Sequence, residues 1–155
     1  MEQRYDLSGS LLHWYDYNKR ILPWRENKDP YRIWISEIML QQTRVEAVKP
    51  YFDRFMEALP TVYDLAKVDD DRLMKLWEGL GYYNRARNLK AAAQTIVEEY
   101  GGQLPADYDK LLSLKGIGMY TAGAIGSIAF ELQPWQEDAG LRLHRHGIMP
   151  SGGSP

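Results

Sequence analysis

Apolar residues recur at three- and four-residue spacing along most of the first 130 positions, and no segment alternates with period two, so the pattern predicts an all-α fold. Leu7, Leu11, Leu12 and Tyr15 predict a first helix over about 7–20, closed before Pro23. Asp29-Pro30 supplies a capping side chain followed by proline and opens a second helix through Gln41. Thr43 with Glu46 three residues on has the form of a capping box for a third helix carrying Val45, Val48, Phe52 and Phe55, which Pro50 is expected to kink or shift. Thr61 with Asp64 starts a short helix. Asp69 to Asp71 start another that buries Leu73, Leu76 and Trp77 and stops at Gly79 and Gly81. A long helix is predicted over 84–100, with Leu89, Ala92, Ile96 and Val97 on one face and Gly101-Gly102 at its end. A short helix over 108–112 and an apolar one over 119–130 complete the pattern, which predicts one helical domain over 1–132 and a poorly ordered tail over 133–155.

Composition narrows the function classes. No apolar run approaches the roughly 18 residues of a membrane helix, and the N-terminus lacks the basic-then-apolar layout of a signal peptide. A soluble, cytoplasmic protein with no membrane partner is expected. The 155 residues include no cysteine, which excludes disulfides, thiolate zinc sites and iron–sulfur ligation by the chain as given; no metal site is expected. A net charge of −2 rules out a polycation, so nucleic-acid binding has to be argued from local sites.

Three segments carry candidate chemistry. Leu114-Lys115-Gly116-Ile117-Gly118 joins two predicted helices by a glycine turn whose backbone N–H groups, with the next helix's N-terminus and Lys115, can receive a phosphate; an ordinary αα-corner fits the segment equally well. Glu37 shares a helix face with Ile33, Trp34, Leu40 and Gln41, where desolvation would raise its pKa and suit it to general-acid work; a glutamate paired with Arg32 or Arg44 is the plainer reading. The stretch from Gly79 to Arg87 sets Tyr82 and Tyr83 in a glycine loop, with arginines in the first turn of the helix behind it. Such a loop can wedge a ring between bases while arginines hold phosphates, or it can simply stop a helix with packed tyrosines.

Taken together, Leu22-Pro23-Trp24-Arg25, the run from Trp34 to Thr43, the run from Gly79 to Leu89 and the run from Lys115 to Ile125 resemble the A/G-specific adenine DNA glycosylases, a branch of the helix-hairpin-helix glycosylase superfamily that also holds the endonuclease III type. The likeness covers about 11–132, with the hairpin at about 107–130. It implies a base-excision repair enzyme acting on double-stranded DNA with adenine opposite guanine or 8-oxoguanine. Glu37 is then the general acid that protonates the adenine ring, and a family aspartate stabilises the oxocarbenium-like sugar, a logic parallel to glycoside hydrolysis by two carboxylates. Trp24, Arg25 and Leu40 match residues of the pocket for the flipped base. Gln42 and Tyr82 match residues that wedge the opened helix, Thr43 and Leu80 match ones near the opposing guanine, and Lys115, Gly116 and Gly118 match the phosphate-binding hairpin. Position 120 is a lysine in endonuclease III-type enzymes. Here it is Tyr120, which cannot form a Schiff base, so a monofunctional, hydrolytic glycosylase is implied.

After Phe130 the sequence departs from the family pattern. Asp138 falls at the distance of the catalytic aspartate, but Ala139 and Gly140 stand where glycine and asparagine are expected. The resemblance places further helices, a four-cysteine 4Fe-4S loop and an 8-oxoguanine-inspecting domain beyond this point, so a cluster is expected only in a longer protein. With that context missing, impaired adenine release is expected of this chain; a related T/G-mismatch glycosylase and a DNA-binding remnant without catalysis are the competing readings.

Overall fold

The computed structural model describes residues 28–133. The expected first helix, Trp24, Arg25, Asp138 and the tail beyond Gln133 lie outside the described residues. Among those described every regular element is helical.

Helix α1, Pro30–Leu40, starts as predicted: the Asp29 carboxylate accepts from the Tyr31 N–H at 3.1 Å and proline occupies the first turn, where its missing donor costs nothing. Helix α2, Val45–Ala58, begins differently. Its N-cap is Arg44, without a side-chain bond, so the expected Thr43–Glu46 capping box does not form. Gln42 adopts a left-handed conformation, φ 62°, and behind this turn the Thr43 hydroxyl donates to Gln41 O at 3.4 Å instead of capping the helix. Pro50 sits inside α2, at the cost of one backbone hydrogen bond, and the helix starts ahead of it. The capping box that does form is at α3, Val62–Lys67, between Thr61 and Asp64. Asp69 caps α4, Asp70–Trp77. Helix α5, Asn84–Tyr100, ends on left-handed Gly101.

The hairpin consists of α6, Tyr108–Leu112, capped by Asp107, and α7, Met119–Ala124. The single helix expected over 119–130 is interrupted, because α7 widens into a π-helical turn over Ile125–Ala129. There Gly126 lies against the ring of Tyr108 so closely that no Cβ would fit. Tyr108 in turn donates to Gln133 O at 2.6 Å, so the first residue of the expected tail is held against the hairpin.

Helix α1 packs against α2, α7 and the π-turn, while α3 lies along α5. Every residue from Ile33 to Met39 is buried, so α1 is enclosed all round instead of presenting one stripe. Phe52, Phe55 and Trp77 fill the α2–α4 side, with Phe55 edge-on to Trp77 at 6.2 Å between ring centroids. The Tyr31 hydroxyl donates to Leu59 O at 2.8 Å, fixing the end of α2 to the start of α1, and burial holds its phenol well above the ordinary range. Tyr31→Phe strands that buried carbonyl, and a stability loss of about 1–3 kcal/mol in urea denaturation is expected. No loss would mean the carbonyl finds another donor.

Candidate nucleic-acid interface

Glu37 is one turn before Gln41 on α1 and is 2% exposed; Ser36 and Thr121 are the other buried polar residues among those described. Gln41 Nε2 donates to Thr121 Oγ1 at 3.4 Å, across 80 positions of sequence, and joins the end of α1 to the hairpin helix α7. Tyr120, half-buried on the core, immediately precedes Thr121. A sequence-remote carboxyl group and a phenol are thus carried on two helices in direct contact. Leu40, at the last position of α1, is partly buried against the same core.

Beside Gln41 lies a cleft of about 90 Å³ bounded by Trp34, Ile38, Arg85, Lys115 and Gly116. That is room for a few waters and not for a purine. A larger cavity of about 390 Å³, between Tyr31, Thr61, Tyr63, Leu104 and Phe130, includes none of the motif residues.

Two turns meet at Arg85, one of the residues lining the cleft, and each is built on a strained residue. Gln42 at φ 62° and Tyr82 at φ 50° are non-glycine residues in the left-handed region, which costs each of them on the order of 1–2 kcal/mol. Both are exposed, Tyr82 at 65%. Tyr83 and Met119 are exposed as well, although apolar groups of this size are usually covered. On the hairpin, Lys115, Gly116 and Gly118 are exposed, while Ile117 is buried and its N–H donates to Leu114 O at 3.1 Å. Gly118 caps α7 with no side-chain bond, which leaves the helix's first N–H groups to an outside acceptor.

Two site residues sit otherwise than their motif suggested. The Leu80 side chain is only 7% exposed and belongs to the core. Arg85 does not reach outward to phosphate. Its two terminal nitrogens donate to Ile38 O at 2.6 Å, Gln41 O at 2.8 Å, Leu80 O at 3.3 Å and Gly81 O at 3.4 Å. Burial pulls its guanidinium below its ordinary range, from so high a starting point that it stays charged. Arg87 is the exposed arginine of this turn, bonded to Asn84 Oδ1 at 3.0 Å. The inward role of Arg85 and the exposure of Met119 escaped the sequence reading, since neither residue stands out from its neighbours by spacing alone. Nor do the residues present fit the 4Fe-4S cluster implied for longer relatives. Such a cluster needs cysteine thiolates, and this chain has none.

The geometry agrees with similarity to known proteins. The chain is 47% identical over 131 residues to the adenine DNA glycosylase of Rattus norvegicus, which covers 79% of this chain and 25% of that protein. It is 44% identical over 124 residues to the adenine DNA glycosylase of Buchnera aphidicola subsp. Baizongia pistaciae, covering 79% of this chain and 35% of that one. It therefore spans about a quarter to a third of the length of these relatives. Among solved structures, a thermostable thymine-DNA glycosylase superposes with a TM-score of 0.68 at 32% identity, over 81% of this chain and 58% of that one. Residues 35–146 match the family described as HhH-GPD superfamily base excision DNA repair protein, so the match continues past Phe130, where the motif pattern breaks. With the buried carboxyl, the hairpin and the two exposed turns on one set of helices, the chain belongs to the HhH-GPD superfamily of base excision DNA repair proteins.

Proposed function

We propose that this chain carries the catalytic helices of an adenine DNA glycosylase, which hydrolyses the N-glycosidic bond of adenine paired with guanine or 8-oxoguanine in double-stranded DNA. The observation that carries the reading is Glu37, a carboxyl group 2% exposed among the buried apolar side chains of a helix whose C-cap, Gln41, is bonded to the hairpin. A protonated Glu37 gives its proton to the adenine ring. The bond between sugar and base then breaks with its electron pair leaving on the base, and water attacks the resulting oxocarbenium-like carbon and loses a proton. Tyr120 offers a hydroxyl and no amine at the position where a lysine would attack, so no covalent imine forms and the strand is not cut. Gln42 and Tyr82 enter the opened stack while Lys115 and the turn at Gly116 and Gly118 hold the backbone.

The 32% identity to a thymine-DNA glycosylase favours one second reading, a T/G-mismatch enzyme. Single-turnover assays on duplexes with adenine opposite 8-oxoguanine, adenine opposite guanine and thymine opposite guanine separate the two. Adenine release alone is expected. Thymine release without adenine release selects the second reading, and binding with release of neither base removes both.

If Lys115 contacts one phosphate, Lys115→Ala should lower the slope of log affinity against log salt by about 0.9, equally for matched and mismatched duplexes. A loss confined to mismatched DNA would contradict a backbone role.

A further inference from the structure

We infer that Arg85 is the positioning residue that sets the two strained turns presenting Gln42 and Tyr82 relative to each other, so that base unstacking depends on an arginine that never touches DNA. The inference rests on the proposed glycosylase reading.

One guanidinium serves both turns. Nη1 donates to Ile38 O and Gln41 O, the latter immediately before left-handed Gln42. Nη2 donates to Leu80 O and Gly81 O, the latter immediately before left-handed Tyr82. These carbonyls belong to segments about 40 positions apart. The two near Gln42 include Ile38 O in the last turn of α1, which also accepts from the Gln41 N–H at 3.3 Å, so the guanidinium shares an acceptor with the C-cap of the helix. The guanidinium also lies 5.3 Å from the Trp77 ring centroid and 5.6 Å from that of Tyr82, while Trp77 Nε1 itself donates to Gly81 O at 3.0 Å. The group is thus held by Trp77, and it holds the tyrosine that would enter the stack.

Strained conformations persist where their surroundings over-determine them, and this one guanidinium bonds to carbonyls of both turns. Lysine cannot replace this arginine. Its ammonium is a point charge with three donors and can neither span two pairs of carbonyls nor lie flat on a ring.

The test uses this chain with Arg85→Lys and Arg85→Met, in two arms. Without DNA, amide hydrogen exchange in Arg85→Lys should quicken about tenfold or more at residues 40–43 and 79–83, and change less than about twofold along α3 and the facing side of α5. Faster exchange everywhere would mean general destabilisation and would overturn the inference. With DNA, the probe is a duplex carrying 2-aminopurine opposite 8-oxoguanine, whose fluorescence rises as the base leaves the stack. Arg85→Lys should bind an undamaged duplex within about threefold of the parent, and Arg85→Met should keep the parent's salt slope, because neither change removes a phosphate contact. Both should lose most of the fluorescence rise. A rise retained in Arg85→Lys overturns the positioning role, and so does a salt slope lowered by about 0.9 in Arg85→Met, since Arg85 would then be a phosphate ligand. If the parent chain binds the probe without any rise, the glycosylase reading itself has failed and the inference falls with it. That outcome is distinct from a normal rise in parent and variants alike.

Discussion

Glu37→Gln should reduce single-turnover adenine release by about 10²- to 10⁴-fold, the range a general acid contributes, while duplex affinity moves by less than about threefold. The amide has the shape of the carboxyl group and fills the same buried position in α1, so the helix and its contact with Thr121 should stand. What is lost is the proton. A base leaving as an unprotonated anion has a far higher barrier, and about 1.4 kcal/mol of barrier corresponds to each tenfold of rate. Thermal unfolding recorded beside the kinetics shows whether a fall in rate is chemistry or loss of fold. If Glu37→Gln retains the parental rate, Glu37 is a structural carboxyl group and the proposed acid lies elsewhere. If both rate and melting temperature collapse, its role is in holding α1 against the hairpin.

The sequence disclosed the fold where local chemistry decides it. Side-chain caps at Asp29, Thr61 and Asp69 start the helices they were expected to start, and Gly101 ends α5 in the left-handed conformation only glycine adopts without cost. Expectation failed where a distant group decides. The Thr43–Glu46 pair has the capping-box pattern, yet the left-handed turn at Gln42 shifts the helix start to Val45. That turn is tied to the loop at Gly81 through Arg85, more than 40 positions on. The same holds for the π-turn. It depends on the approach of Gly126 to Tyr108, which no periodicity over 119–130 contains. At the site, the buried position of Glu37 was legible from the apolar residues around it. The direction in which Arg85 faces was not, because Arg85 and Arg87 open the same helix two positions apart and only the tertiary structure turns one inward.

Gly116→Val should be the most damaging single change on the hairpin, weakening binding to matched and mismatched duplexes alike and lowering stability by about 2 kcal/mol or more. Two costs add. Gly116 sits at φ 79°, where an L residue pays on the order of 1–2 kcal/mol and a β-branched one more. A Cβ there would also stand 2.8 Å from Asn88 Cβ on α5, closer than carbon atoms pack, so the turn must lift away from α5. Lifting it moves the turn at Gly116 and Gly118 that the proposed function assigns to phosphate, and phosphate contacts carry affinity without sequence preference. Gly116→Ala should show an intermediate loss, since it meets the same atom without the second branch. Asn88→Ala should not rescue either variant, because the nearest obstacle is Asn88 Cβ, which alanine keeps; the amide group, at 3.3 Å or beyond, is the lesser one. Asn88→Gly should restore part of the binding to Gly116→Ala despite the roughly 1 kcal/mol that glycine costs inside a helix. Urea denaturation and duplex titrations across the set decide the matter. If Asn88→Ala rescues as well as Asn88→Gly, the contact with Asn88 Cβ is not what limits the turn, and if Gly116→Val binds normally, the hairpin backbone is not the phosphate site.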